Sequence, residues 1–421
     1  MLRSIYSAIF YLLLPFILLR LWWKGRRNPA YRRRWRERLG AFTAPAKPDG
    51  IWVHAVSVGE VIAAIPLIKQ LRQQYPEKQI IVTTMTPTGS ARVQAAFGDD
   101  VFHVYVPYDV PCAIKRFLAR VKPCVLVIME TELWPNLLPI CSAQQIPIVI
   151  ANARLSHRST KSYLKIKFLM AQILRHVTCV AAQTQADGDR YLSLGLPAPQ
   201  LLITGNIKFD IQVSASVFEQ GTILRAQWGQ QRPVWIAAST HEGEEELVLA
   251  AFAKVRAVLP DTLLVLVPRH PERFEKVINL CRKQGYQTAQ RSAPDSWHDE
   301  VAVFVGDTMG ELLLMYVASD VAFVGGSLVP VGGHNLLEPA AVGVPSLTGP
   351  HMFNFVEINR LMQEAHAVVG VHQPEDLAQD VIAWLQNKTA RQNAAQAGKN
   401  VVEQNRGALA RHMELLARLI K

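Results

Sequence analysis

Between Val321 and Ala340 a short apolar run, Val321 to Val324, gives way to Gly325, Gly326 and Ser327, and then to Gly332, Gly333, His334, Asn335 and Glu338. Glycine lets a backbone approach a ligand closely, and the free N–H groups that open a helix favour an anion there through the helix dipole. A strand, a glycine-rich turn and a new helix in that order predict a phosphate cradle, with Glu338 placed to accept hydrogen bonds from ribose hydroxyls. The same residues admit a purely structural use, a capping box with Asn335 as the N-cap and Glu338 answering three residues on. Pro339 speaks against that register: a Glu338 cap would put proline at the first helical position, where it is favoured.

Comparable residues recur elsewhere. Val267, Pro268, Arg269, His270 and Pro271 close another apolar run with a guanidinium able to grip a phosphate in bidentate fashion. Gly306, Asp307, Thr308, Met309, Gly310 and Glu311 form a further turn into a helix start, and Asn206, Ile207 and Lys208 lie where the first half of the chain ends. Each alone reads as solvated surface; their recurrence at one predicted rim singles them out. In the first half, Ser57, Val58, Gly59 and Glu60 follow the first expected strand, and Glu130, Thr131 and Glu132 follow the fourth. Glu60 falls in the first turn of a predicted helix, where the dipole keeps a carboxylate ionised at neutral pH. A carboxylate there can serve as general base toward an attacking hydroxyl; a glutamate that merely answers the dipole is the competing reading.

Other motifs are set aside. Asp187, Gly188 and Asp189 look like an acidic metal triplet but follow Thr184 at an expected helix start, where acids are ordinary. His241 with Glu242, Glu244, Glu245 and Glu246 lacks the i, i+4 histidine pair of a zinc helix and again marks a helix amino end. No Walker loop, G-x-G-x-x-G or G-x-S-x-G occurs. Cys112, Cys124, Cys141, Cys179 and Cys281 are odd in number and spread out, with no C-x-x-C pair, and are expected as core residues in a reducing compartment.

The elements that must position these residues follow from the apolar pattern. Expected strands at Ile51 to Ser57, Ile80 to Thr84, Val101 to Val106, Val125 to Met129, Ile148 to Ala151 and Val177 to Ala181 alternate with helical stretches at Val61 to Tyr75, Cys112 to Val121, Leu133 to Gln145 and Tyr163 to Leu174. That alternation is the signature of a parallel sheet covered on both faces. The pattern lapses across a polar bridge and resumes with strands at Trp235 to Ala238, Leu263 to Val267, Val301 to Val305, Val321 to Val324 and Pro345 to Thr348. The 421 residues are thus expected as an anchor and polybasic segment over 1–40, one doubly wound α/β domain over 41–210, a linker over 211–232 and a second domain over 233–421. Ligands of such folds bind at the carboxyl ends of strands, hence in a cleft between the domains. The last helical stretch, Leu377 to Leu419, could return to brace the first domain. No internal repeat or low-complexity tract is evident.

The net charge of +11 is concentrated at one end. Through Gly40, ten lysines and arginines stand against Glu37 alone, which leaves the body nearly neutral and argues against a nucleic-acid groove. Ser4 to Leu19 holds no charged side chain, and Arg20, Leu21, Trp22, Trp23 and Lys24 follow like an interfacial belt. Sixteen uncharged residues make about 24 Å of helix, short of the ~30 Å hydrocarbon core, and Pro15 would kink it, so a thin span and a tilted monotopic helix both stay open. A cleaved signal peptide would want a small-residue cleavage site where arginines and tryptophans stand. The massed cations hold that side in the cytoplasm, against anionic headgroups that attract a polybasic stretch.

Over nearly its whole length the chain resembles the bacterial 3-deoxy-D-manno-octulosonic acid (Kdo) transferases, the lipid IVA Kdo transferase family. The matching stretches are SVGE at Ser57 to Glu60, TTMTPTGS at Thr83 to Ser90, METELWPN at Met129 to Asn136, IANARLS at Ile150 to Ser156, STHEGEE at Ser239 to Glu245, VPRHPERF at Val267 to Phe274, GDTMGEL at Gly306 to Leu312, and FVGGSL with GGHN from Phe323 to Asn335. The resemblance implies a glycosyltransferase B fold, two Rossmann-like domains with the acceptor on the first and the nucleotide sugar on the second, at the cytoplasmic side of the inner membrane. It further implies inverting transfer of Kdo from CMP-Kdo to a lipid A precursor, releasing CMP. By resemblance Glu60 is the general base and Glu130 and Lys208 stabilise the transition state. Pro268 and Arg269, Met309, Gly310 and Glu311, and Asn335, Leu336, Leu337 and Glu338 would bind CMP. No cofactor is expected, and no metal, since the leaving group carries a single phosphate. Val329, Pro330 and Val331 depart locally from the more polar turn of the family.

Two rivals share parts of the pattern. A soluble nucleotide-sugar epimerase has this two-domain outline but no need of the apolar amino terminus, and would act without a lipid acceptor. A two-lobed transport binding protein would require export and cleavage, which the positive charges after the apolar run oppose.

Overall fold

The computed structural model describes residues 2–420. Met1 and Lys421, the outer ends of the segments expected at 1–40 and 233–421, lie outside them. The chain folds as two compact units: one runs up to Asp210 and resumes at Arg406, and the other is Ile211–Asn405.

The first unit is built on a parallel sheet of seven strands, β1 (Ile51–His54), β2 (Ile80–Thr84), β3 (Phe102–Tyr105), β4 (Val125–Met129), β5 (Ile148–Ala153), β6 (Cys179–Ala182) and β7 (Leu201–Ile203). Their order is β3-β2-β1-β4-β5-β6-β7. β1 is therefore central, pairing Ile51 with Ile80 on one side and with Val125 on the other. Every residue of β1 and β4 is buried, which explains why these strands read as unbroken apolar runs rather than alternating ones. Trp52 and Ile128 enter the core on one face, Val53 and Val127 the core on the other.

The second unit repeats the plan with β8 (Val234–Thr240), β9 (Leu263–Pro268), β10 (Thr288–Gln290), β11 (Val303–Val305), β12 (Val321–Val324), β13 (Ser346–Thr348) and β14 (Val368–Gly370), in the order β10-β11-β9-β8-β12-β13-β14. In each sheet the strand order reverses once, between β1 and β4 and between β8 and β12. Loops leaving the two strands diverge there and open a crevice at their carboxyl ends.

Several expectations need correction. The stretch expected as a linker contains the helix Ala215–Trp228, whose Leu224 and Trp228 enter the second unit's core. Gly221, on the same face, lets this helix approach Val317 so closely that a Cβ there would meet the valine at 2.6 Å. The exposed polar face of the helix masked this stripe in the sequence. β7, β10 and β14 were not expected; each is three residues long, and β7, β10 and β14 are sheet edges where burial demands little of the sequence. The returning helix Ala408–Ala417 belongs to the first unit, where the Asp210 carboxylate accepts the N–H of Gly407 at 2.6 Å and of Leu409 at 2.7 Å.

At the amino end one helix, Leu2–Arg27, continues past Pro15 without a break. Its 26 residues make about 39 Å, well beyond the uncharged core alone. Within Arg3–Arg26 an 18-residue window reaches a mean hydropathy of 1.9, so the helix is long and apolar enough to cross a membrane by length and composition. The cations that follow are not all free. Arg38 is buried, 4.1 Å over the Tyr105 ring, and donates to the Met85 carbonyl at 2.9 Å. Arg34 pairs with Glu37 at 2.7 Å and donates to the His103 carbonyl at 2.9 Å. These two tie the segment to the first unit, while Arg20, Lys24, Arg26, Arg33 and Arg36 stay exposed. Of the five cysteines, all free, Cys112 is exposed in the first turn of the helix Pro111–Val121 and is not a core residue.

Candidate functional site

In the first unit the crevice between β1 and β4 gathers acids. Ser57 caps the helix Val58–Gln74, and Glu60 follows in its first turn. The Glu60 carboxylate accepts the Val56 N–H at 2.8 Å and the Ser57 hydroxyl at 2.9 Å. It is only 8% exposed, and burial pushes its carboxyl up to about 7, helped by the charges of Glu132 and Glu130 and opposed by the two hydrogen bonds. The expectation that the helix dipole keeps Glu60 fully ionised is therefore overturned, because desolvation outweighs it. A carboxyl poised near neutrality is what a general base requires.

Glu130 directly follows β4 in the left-handed region at φ 57°, a conformation uncommon for a residue with a Cβ. Glu132 is fixed by the Trp134 indole N–H at 2.6 Å, and burial raises its carboxyl as well. Lys208 lies in the single turn Ile207–Phe209; the Asn206 side chain accepts its N–H at 3.0 Å, and Asn152 Oδ1 at the end of β5 accepts that of Ile207 at 3.1 Å. Burial lowers the Lys208 ammonium, while the Glu130 carboxylate acts in the opposite direction. Glu60, Glu130 and Lys208 thus share one unit and one rim, with Glu130 electrostatically coupled to both others.

In the second unit the predicted binding residues lie at or beyond carboxyl ends of strands in the sheet. Pro268 closes β9, and Arg269 follows, exposed, its guanidinium in no hydrogen bond or ion pair among the described residues. Met309, 62% exposed, and Gly310, at φ 87°, lie after β11. Glu311 caps the next helix and is held by Arg291 at 2.7 Å, which lowers its carboxyl. After β12 come Asn335 to Glu338. Arg269 is a charged neighbour of Glu338, whose carboxyl is raised by burial and receives the Asn335 amide at 3.3 Å.

The glycine-rich turn is built differently from a phosphate cradle. The fully buried Glu244, which opens the helix Glu244–Val258, accepts the N–H groups of Gly326 at 2.6 Å, Ser327 at 2.9 Å and Leu328 at 2.9 Å, and also that of His241 at 3.0 Å. The backbone nest is filled by the chain's own anion. Neither cap register expected for Asn335 and Glu338 is adopted. The helix starts at Leu337 with Leu336 at the cap, and Asn335 Oδ1 accepts the Leu337 N–H at 3.1 Å. Pro339 then falls in the first turn, where its missing N–H has no intrahelical partner to lose.

The sequence sets His241 aside as a metal ligand and gives His334 no role of its own; their pairing, with Nε2 atoms 2.8 Å apart, is visible only in the fold. The available signal was their position: His241 directly follows β8, and His334 lies in the long turn after β12, the strand that the sheet order makes its neighbour. Among the described residues no group of three or more His, Cys, Asp or Glu side chains is placed to hold a metal ion.

Comparison with known proteins follows the same division. A family model described as 3-deoxy-D-manno-octulosonic-acid transferase (kdotransferase) matches residues 33–211, and one described as glycosyl transferases group 1 matches residues 236–401. The 3-deoxy-D-manno-octulosonic acid transferase of Haemophilus influenzae is 47% identical over 417 residues, 98% of this chain and 98% of that protein. That of Bordetella pertussis is 33% identical over 430 residues, 98% of each. A crystal structure of a glycosyltransferase from Rickettsia africae matches with a TM-score of 0.55 at 14% identity, covering 89% of this chain and 100% of that one. It shares the fold, two parallel-sheet α/β domains of glycosyltransferase B type.

Proposed function

The chain belongs to the 3-deoxy-D-manno-octulosonic acid transferase family, and from that premise we propose that it moves Kdo from CMP-Kdo to the lipid A precursor lipid IVA, releasing CMP. It is a Kdo transferase, a glycosyltransferase of lipopolysaccharide biosynthesis. The observation that carries the finer reading is Glu60, a buried carboxyl pushed up to about 7 at the strand-order reversal of the first unit.

In this reading Glu60 takes the proton from the lipid sugar hydroxyl as that oxygen attacks the anomeric carbon of Kdo. Attack from the face opposite the departing phosphate inverts the configuration. Because the acid form of Glu60 is favoured by burial, the carboxylate is a stronger base than an exposed glutamate. The sugar gains oxocarbenium character and the departing CMP gains negative charge. Glu130 and Lys208 supply charge of both signs at the first unit's rim, and preorganised charge is what lowers such a barrier. Arg269 grips the phosphate, Pro268 and Met309 to Glu311 line the nucleotide, and Asn335 to Glu338 hold the ribose. A leaving group with one phosphate leaves no pair of phosphates for a divalent cation to bridge, so the reaction runs without metal.

The amino-terminal helix fits an inner-membrane anchor. Ile9, Leu12, Phe16, Leu19 and Trp23 are exposed apolar side chains along it, and the exposed cations at its end suit anionic headgroups on the cytoplasmic side. Incubation with labelled CMP-Kdo and a tetraacylated lipid A precursor, followed by counting sugars on the lipid, tests the proposal. Labelled lipid with one CMP released per sugar supports it; free Kdo without glycolipid contradicts it.

A further inference from the structure

The His241 and His334 rings are nearly parallel, at 5°, with centroids 5.1 Å apart and Nε2 atoms at 2.8 Å. That centroid separation equals the in-line bond plus the two ring radii, so the imidazoles are not stacked face to face. They lie edge to edge in one plane, joined by an N–H···N hydrogen bond. Such a bond needs one Nε2 protonated and the other bare. The pair can add a single proton, at the Nδ1 of the donating ring, and the bond then becomes charge-assisted and stronger. A second proton would have to break it.

The surroundings fix which ligand would favour uptake of that proton from solvent. Gly326 packs against both rings: a Cβ there would meet His334 Nε2 at 3.1 Å and His241 Cδ2 at 3.4 Å. The glycine turn, its N–H groups already given to Glu244, thus makes room for the imidazole pair. The His270 ring abuts His241 edge-on at 5.1 Å. Of the nearby charges, Arg273 is taken by Glu245 at 2.9 Å and Glu242 at 3.1 Å, and Glu244 by the backbone. Glu338 answers Asn335, and among the described residues Arg269 remains a nearby cation without a partner. Before a ligand arrives, burial and then the Arg269 and His270 charges hold both His241 and His334 below the ordinary histidine range, with Arg273 adding to this and Glu244 opposing it at His241, and the pair is neutral.

We infer that His241 and His334 form a one-proton receptor for the phosphate of the bound nucleotide, taking up a proton as the anion settles against Arg269. The inference rests on the reading of the second unit as the donor-binding unit. An anion beside the pair reverses the field that keeps it neutral, so binding and protonation are linked. The unpaired guanidinium and the imidazole pair then recognise the phosphate together, while the pair's neutrality in the empty site avoids piling like charges on Arg269.

The test is calorimetric titration of the full-length, detergent-solubilised protein with cytidine 5′-methyl phosphate, a diester that does not itself titrate near neutrality, and with cytidine. Each is run from pH 5.5 to 8 in buffers of different ionisation enthalpy. The wild type is expected to take up protons with the diester and none with cytidine, its diester affinity rising about five- to tenfold on acidification. His241→Gln and His334→Gln, which keep a hydrogen-bonding side chain, are expected to lose both the uptake and the pH dependence. Diester binding by the wild type without proton uptake at any pH overturns the inference with no variant needed, as does unchanged uptake in the variants. Failure of the wild type to bind the diester at all instead overturns the donor-binding reading of this unit, and the inference falls with it.

Discussion

Ser57 and Glu60 hold each other twice: the Ser57 hydroxyl donates to Glu60 Oε1 at 2.9 Å, and the Glu60 N–H donates back to Ser57 Oγ at 3.3 Å. This reciprocal box serves the helix start and also fixes the carboxyl in one orientation beside Glu130 and Glu132. The same residue is thus both cap and candidate base, which separates the consequences of its charge from those of its shape.

Glu60→Gln keeps the shape, since an amide can still accept from Val56 and donate to Ser57. Transfer is expected to fall about 10²- to 10⁴-fold, with CMP affinity unchanged. Burial raises the Glu60 carboxyl from the ordinary 4.5 to about 7, so the contribution of this group to stability is full below about 4.5 and is lost as pH rises through 7. The glutamine variant should therefore be more stable than wild type by roughly 1 to 3 kcal/mol at pH 8, and by little at pH 4.5. Thermal melting at both values checks this, and a variant less stable at pH 8 would count against a strained carboxylate.

Arg269→Ala removes an exposed, unpaired guanidinium. CMP is expected to bind about 10- to 100-fold more weakly, the loss of a charge-assisted bond, with the melting temperature unchanged. Equal affinity in a titration would remove its phosphate role.

Glu244→Ala strips a buried carboxylate from four backbone N–H donors. A destabilisation of about 3 to 5 kcal/mol is expected in denaturant unfolding, together with loss of CMP binding as the glycine turn relaxes. A variant of wild-type stability would show that the turn does not depend on its internal anion.

Transfer is expected to proceed within twofold of its normal rate after exhaustive EDTA treatment and dialysis. Activity restored only by added divalent cation would contradict a metal-free departure of CMP.

The sheet centres were legible in the sequence because burial on both faces leaves β1, β4, β8, β9 and β12 almost nothing but apolar residues. The edges β7, β10 and β14 were not, since three residues against one neighbour carry no pattern of their own. Candidate site residues stood out where a single residue type implied a chemistry, as with Glu60 after the first strand and Arg269 after β9. What escaped were relationships that exist only after the order β9-β8-β12 brings distant turns together. Glu244 beneath the glycine turn and His334 against His241 lie 82 and 93 positions from their partners. Local motif reading assigned the turn's N–H groups to a ligand because nothing nearby in sequence could claim them.

The most direct test of Glu60 as the base is the pH dependence of single-turnover transfer from CMP-Kdo to the lipid acceptor. The rate of the wild type is expected to climb with a one-proton slope, reach half its plateau near pH 7 and level off above pH 8, while Glu60→Gln stays low and flat throughout. A wild-type rate that does not change between pH 5.5 and 8.5, or a glutamine variant with wild-type turnover, would contradict the account.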